Sequence, residues 1–237
     1  MNKTHRHNMR SKVLLFDIDA TLLLSGHAGT RALNRTFQRL YGIEDAMLDI
    51  RPDGKTDPLI IREVLDKGLP NVDPESEIPR VARTYLEYLK GEVENSQGFH
   101  LMPGVKELLE KLSRIDSLAL GLATGNFEEA AWIKLRRGGL DSYFCFGGFG
   151  SDAEDRTELI KIGIRRGEHF IGKQVPRECV YVIGDTPRDI LHAREAQVKT
   201  VAVGTGRANL EELSNYGPDY LLPDLSSTDD VIRIFCG

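Results

Sequence analysis

Cysteine is scarce in this chain and scattered where it occurs. Cys145, Cys179 and Cys236 are odd in number and include no Cys-x-x-Cys pair. That excludes a disulfide framework and a structural zinc site, and it fits a reducing compartment. Long apolar runs are missing too: none approaches the roughly 20 residues needed to span a bilayer. The opening stretch MNKTHRHNMR is polar and basic, with no apolar core or cleavage site of the signal-peptide kind. Basic charge is not in excess, with 31 Lys and Arg against 36 Asp and Glu and a net charge of −5. No nucleic-acid footprint and no electrostatic pull towards anionic membranes is implied. The six histidines lie in the tail or singly, which leaves a His-based metal site or triad unsupported. Internal repeats and low-complexity segments are absent. The expectation is a cytoplasmic protein with a disordered tail over residues 1–10.

What remains is an ordinary globular balance, 41% hydrophobic and 28% charged, enough for a core domain with a smaller insert. Val13 to Phe16 is a short apolar run that reads as a buried strand. Helical spacing then dominates. It predicts helices at 29–41, after the loop Arg51-Pro52-Asp53-Gly54-Lys55-Thr56-Asp57, and around Val81, Tyr85, Tyr88 and Leu89. From residue 103 onward the character changes. An amphipathic helix from Val105 is followed by apolar strands at 118–123, 143–146, 179–183, 200–203 and 220–222, with helices between them. This alternation predicts an α/β fold, a Rossmann-like parallel sheet with helices on both faces. The helical stretch 26–98 is too long for a loop in a compact domain. It is expected to be an inserted all-helical cap domain, with 11–25 and 99–237 forming the catalytic core.

In such sheets ligands bind beyond the carboxyl ends of the strands. The residues found there are Asp17-Ile18-Asp19-Ala20-Thr21-Leu22, then Thr124-Gly125-Asn126, then Gly184-Asp185-Thr186-Pro187-Arg188-Asp189. Several carboxylates converging on one edge repel one another, and a proton or a cation must offset that. Hard oxygen donors without a His/Cys cluster favour Mg²⁺. Beside such a cation one carboxylate can act as a nucleophile on phosphorus, and a second, two residues on, can act as general acid and base.

These three motifs, in this order, resemble those of the haloacid dehalogenase superfamily, specifically its phosphatase branch with a helical cap inserted after the first motif. The resemblance runs from Val13 to about Val203 and is nearest to phosphoglycolate phosphatase-like members. It implies Asp17 as nucleophile and Asp19 as general acid/base. Thr124, Gly125, Asn126 and Arg156 would hold the phosphoryl group. Magnesium would be bound by Asp17, Asp185 and the Asp19 main-chain carbonyl, with Asp189 as a further acid of the metal site. Two departures stand out. Ala20 occupies a place where glycine is usual, and no Lys-Pro precedes the fourth strand; Arg156 is expected to fill that lysine's role, with Lys161 as the alternative. The loop residues Arg51, Lys55 and Asp57 are candidates for substrate contact, although a solvated turn with a helix cap would look the same. Asp189 could equally complement a helix N-terminus, and Trp132 is expected to pack beside a helix. A small phosphorylated metabolite is the implied partner. A sugar phosphomutase and a catalytically weak metabolite-binding protein are the competing functions. Asp19 and Asp185 together argue against carbon–halogen hydrolysis, which has no anionic phosphate to neutralise.

Overall fold

The structure is a computed structural model and describes residues 11–236, so the expected tail over 1–10 lies outside the described residues. In chain order the elements are β1 (Lys12–Phe16), β2 (Leu23–Ser25), α1 (Ala28–Tyr41), α2 (Asp57–Gly68), α3 (Pro74–Glu94), β3 (Phe99–Leu101) and α4 (Val105–Leu112). They continue with β4 (Leu118–Thr124), α5 (Glu128–Gly138), β5 (Gly147–Phe149), α6 (Arg156–Ile171), β6 (Val180–Gly184) and α7 (Pro187–Glu195). The last are β7 (Lys199–Val203), α8 (Leu210–Asn215), β8 (Tyr220–Leu222) and α9 (Thr228–Cys236).

Six strands form one sheet in the order β5-β4-β1-β6-β7-β8, and every pairing in it is parallel. Alternate residues of β1 serve opposite faces, as the strand period of two requires. Leu14 and Phe16 pack with α4, α5 and α9. Val13 and Leu15 pack with α6 and α7. Both faces are thus covered, which is why the strands read as continuous apolar runs.

The strand expected at 143–146 is displaced to Gly147–Phe149. Phe144 stacks edge-on against Phe16 on one face, whereas Phe146 belongs to the other face. Two side chains two residues apart cannot do that from a regular strand. The true strand carries two glycines because α6 presses on it: a Cβ at Gly148 would stand 1.8 Å from the Leu159 carbonyl oxygen. That contact brings the N-terminus of α6 to the carboxyl edge of the sheet.

Helices α1, α2 and α3 all fall between β2 and β3, and they share their own apolar core around Leu33, Phe37, Ile61, Leu65, Tyr85 and Leu89. The sequence pattern shows neither β2 nor β3. They are three-residue strands that pair antiparallel at the two chain crossings. Gly26 and Gly98 meet there. A Cβ on Gly98 would lie 3.0 Å from the Gly26 Cα, so neither glycine has room for a side chain.

Candidate active site

The central strands β1 and β6 are hydrogen-bonded neighbours, and the chain departs from them in opposite directions across the sheet. Ligand crevices form at such a switch point. Asp17 follows β1 and its N–H donates to the Ile183 carbonyl at 2.9 Å. Asp185 follows β6 and accepts from the Thr21 hydroxyl at 3.0 Å. Asp189 sits in the first turn of α7. There it forms a capping box with Thr186 and also accepts from Arg156 Nη2 at 2.5 Å. Asp189 thus caps its own helix and also stands in the acidic cluster.

Asp17, Asp185 and Asp189 are buried, and each offers an oxygen within 4.8 Å of the others. Among the described residues a single cation, Arg156, stands with them, 3.2 Å from Asp17 Oδ1. One guanidinium against three carboxylates leaves the cluster over-negative. Burial pushes the Asp17 carboxyl up to about 6; Arg156 opposes the shift, and Asp189 and Asp19 add to it. Asp185 is driven well above the usual carboxylate range by burial, then by Asp189 and Asp17. Burial works against the Arg156 charge, but Asp189 and Asp17 outweigh it and hold the group protonated. An all-oxygen donor set with unbalanced negative charge fits a hard divalent cation such as Mg²⁺.

Arg156 opens α6, whose N-cap Asp155 accepts from the Thr157 and Glu158 N–H groups. Its side chain is only 4% exposed, and its Nε is buried without a hydrogen-bond partner. A buried donor left unpaired is costly, and an oxyanion in the cluster would satisfy it. Lys161 does not compete for this role. It lies five residues on, about 140° round the helix, and pairs with Glu158 on the outer face.

The turn after β4 supplies a polar network. Asn126 Nδ2 donates to Thr124 Oγ1 at 2.9 Å and to Asp19 Oδ2 at 2.8 Å. Its Oδ1 accepts from Lys134 Nζ at 2.6 Å. Lys134 also donates to both Asp19 oxygens, at 2.8 and 2.6 Å. Sequence reasoning missed Lys134. The available signal was a lysine within the buried stripe of α5, three residues from Ala131, four from Ala130 and next to Leu135. The Asp19 side chain is half-exposed and turned to this network, and it is not one of the three clustered acids. The position of Ala20 is also explained. It adopts φ 60°, the left-handed region that glycine enters without strain, and its carbonyl accepts from the Thr205 hydroxyl.

The helical block docks on the same turn. The Asp57 N–H donates to the Gly125 carbonyl at 2.7 Å, and Asp57 Oδ2 accepts from the Phe127 N–H at 2.8 Å. Gly125 is obligatory here, since a Cβ would lie 2.2 Å from the Lys55 carbonyl oxygen. We expect Gly125→Ala to push this loop off the turn and cost roughly 1–3 kcal/mol. A melting temperature left at the native value would contradict that.

Burial pushes the Asp57 carboxyl up to about 6, against the opposing pull of Lys134 and the Phe127 N–H. The sign follows from linkage: with the folded value above the unfolded one, stability is full below the unfolded value and drains as pH rises through the folded one. Asp57→Asn removes the charge and keeps an acceptor. Its melting temperature relative to the native chain should rise between pH 3.8 and about 6 and then level off. A pH-independent difference would refute this.

Between block and sheet lies a chamber of about 590 Å³, lined by Asp17, Asp19, Asn126, Lys134, Arg156 and Asp185 below and by Lys55 and Asp57 among others above. Of the loop residues expected to contact substrate, Lys55 and Asp57 reach it. Arg51 is absent from the lining and is exposed. Trp132, expected to pack beside a helix, lies on α5 and packs against Phe149 of strand β5.

The profile of the haloacid dehalogenase-like hydrolases matches residues 14–203. The chain belongs to that family. The hydrolase is 24% identical to pyrophosphatase PpaX of Halalkalibacterium halodurans over 233 residues, 95% of this chain and 99% of the relative. It is 26% identical to the phosphoglycolate phosphatase of Vibrio parahaemolyticus over 228 residues, 94% and 96% of the two chains. Among solved structures, CbbY from Rhodobacter sphaeroides in complex with phosphate superposes with a TM-score of 0.71 at 21% identity, covering 91% of the hydrolase and 95% of CbbY. A hydrolase from Pseudomonas syringae superposes with a TM-score of 0.70 at 22% identity, covering 95% and 99%. Among the described residues of the hydrolase no helix is long and apolar enough to cross a membrane.

Proposed function

We propose that the hydrolase is a magnesium-dependent phosphomonoesterase that works through an aspartyl-phosphate on Asp17, with helices α1–α3 as the cap over its site. The observation that carries this reading is the cluster of three buried carboxylates, two of them forced up in pKa, around a lone guanidinium. Such a cluster calls for a divalent cation, and it lies where Asp17 opens into the chamber. When bound by Asp17, Asp185, Asp189 and the Asp19 carbonyl, Mg²⁺ supplies charge neutralisation and Lewis acidity at a phosphoryl oxygen.

The residues of the chain divide the remaining work. The Arg156 guanidinium and the Thr124-Gly125-Asn126 turn bind the phosphoryl oxygens. Asp17 Oδ attacks phosphorus and forms the acyl phosphate while the ester P–O bond breaks. Asp19 gives its proton to the departing alkoxide. It then takes one from the water that attacks the acyl phosphate, so Asp17 is regenerated and inorganic phosphate leaves. The matched relatives named as a pyrophosphatase and a phosphoglycolate phosphatase support phosphoryl chemistry on a small molecule. The test is phosphate release from a panel of monoesters with and without Mg²⁺, together with mass spectrometry of the acid-quenched enzyme. Magnesium-dependent release with phosphate on Asp17 is expected. Substrate-dependent phosphate on any other residue, or release indifferent to chelator, contradicts the reading.

A further inference from the structure

The upper part of the chamber carries information about the leaving group. Its walls there are Leu24, Leu33, Met47, Ile60 and Tyr85. Tyr85 is 2% exposed, and its hydroxyl has no hydrogen-bond partner among the described residues. It faces Gly29, also a lining residue, where a Cβ would lie 3.4 Å from the hydroxyl oxygen. Burial, then Asp57 and Asp19, hold the phenol proton firmly in place. Tyr85 therefore offers the chamber an uncharged donor and acceptor.

All four Lys and Arg side chains that line the chamber are already paired with carboxylates. Lys134 holds Asp19, and Arg156 holds Asp17 and Asp189. Lys55 pairs with Glu63 at 2.6 Å, and Arg207, out at the rim, pairs with Asp53. The acids Asp53 and Asp57 line the cap side as well. Among the described residues, a second negative charge on the substrate would enter a partly apolar space with no uncommitted Lys or Arg, its other basic lining residues being only the imidazoles of His27 and His100, and that is costly.

Resting on the phosphomonoesterase reading, we propose that the substrates are phosphate esters of uncharged, hydroxyl-bearing alcohols, with the Tyr85 hydroxyl recognising the alcohol part. Pyrophosphate and phosphoglycolate, whose leaving groups are anions, are then poor substrates.

The test compares near-isosteric esters: 2-hydroxyethyl phosphate with 2-phosphoglycolate, and glycerol 1-phosphate with 3-phosphoglycerate. The neutral member of each pair should have the higher kcat/KM, by about tenfold or more. In Tyr85→Phe the preference for 2-hydroxyethyl phosphate over ethyl phosphate should collapse by roughly tenfold, towards parity. That ratio is independent of how much of the variant is folded. Equal or faster turnover of the anionic members, or an unchanged ratio in Tyr85→Phe, overturns the assignment while leaving the phosphatase intact. If no ester is hydrolysed, 4-nitrophenyl phosphate included, the phosphomonoesterase reading fails and the inference with it.

Discussion

Asp17→Asn should lose about 10⁴-fold or more in magnesium-dependent phosphate release, because it replaces the nucleophilic carboxylate with a neutral, weakly nucleophilic amide. No neighbour can take over. Both oxygens of Asp19 are held by Lys134, one of them by Asn126 as well, and Asp185 and Asp189 are bound to Thr21 and to Arg156 and Thr186. The same substitution should act on stability in the opposite direction. Burial raises the Asp17 carboxyl from 3.8 to about 6, so its ionised form at neutral pH destabilises the metal-free fold by a few kcal/mol. In chelator above pH 6, the variant should therefore melt above the native chain. Below the unfolded value of 3.8 that advantage should vanish, since the native carboxyl is then protonated in both states. The thermal shift produced by added Mg²⁺ should shrink in the variant. Retained turnover would exclude Asp17 as nucleophile, and an inactive variant that melts lower in chelator would point to damage elsewhere.

The parts legible in the sequence are those with a one-dimensional signature. The buried strands β1, β4 and β6 announce themselves as apolar runs, and the acids that follow β1 and β6 stand where a parallel sheet places ligands. Arg156 is legible because a basic residue is missing from its usual place. The illegible parts depend on contacts between distant segments. β5 is hidden behind an aromatic run with higher strand propensity, and only the press of α6 on Gly148 explains its composition. β2 and β3 are held by each other across the whole length of the helical block, as at the Ser25–Phe99 pair. Tyr85 reads as one more member of an apolar helix face, because periodicity reports burial and says nothing of where a hydroxyl points. Arg51 and Lys55 look alike in sequence, four residues apart in one loop. Only the docking of Lys55 on Gly125 separates the residue that reaches the chamber from the one that does not.

Lys134→Met should impair the enzyme selectively, according to the leaving group. Lys134 makes no ion pair with Asp17, Asp185 or Asp189; it spans both oxygens of Asp19 and Asn126 Oδ1. It is thus a positioning residue for the general acid. Removing a general acid's contribution costs about 10²–10⁴-fold when the leaving group needs a proton. An alkoxide needs one, whereas 4-nitrophenolate is a weak base and departs without it. The informative quantity is kcat/KM, which covers steps up to formation of the acyl phosphate and leaves out its later hydrolysis, where Asp19 acts on every substrate alike. For an alkyl phosphate kcat/KM should fall by about 10²-fold or more. For 4-nitrophenyl phosphate it should change by only a few-fold, on the same magnitude of argument. Equal losses on both esters would make Lys134 a structural ion pair only. The buried ammonium would then matter for stability through Asp19 and Asp57, and the proton supply would have to be set by Asn126 and solvent.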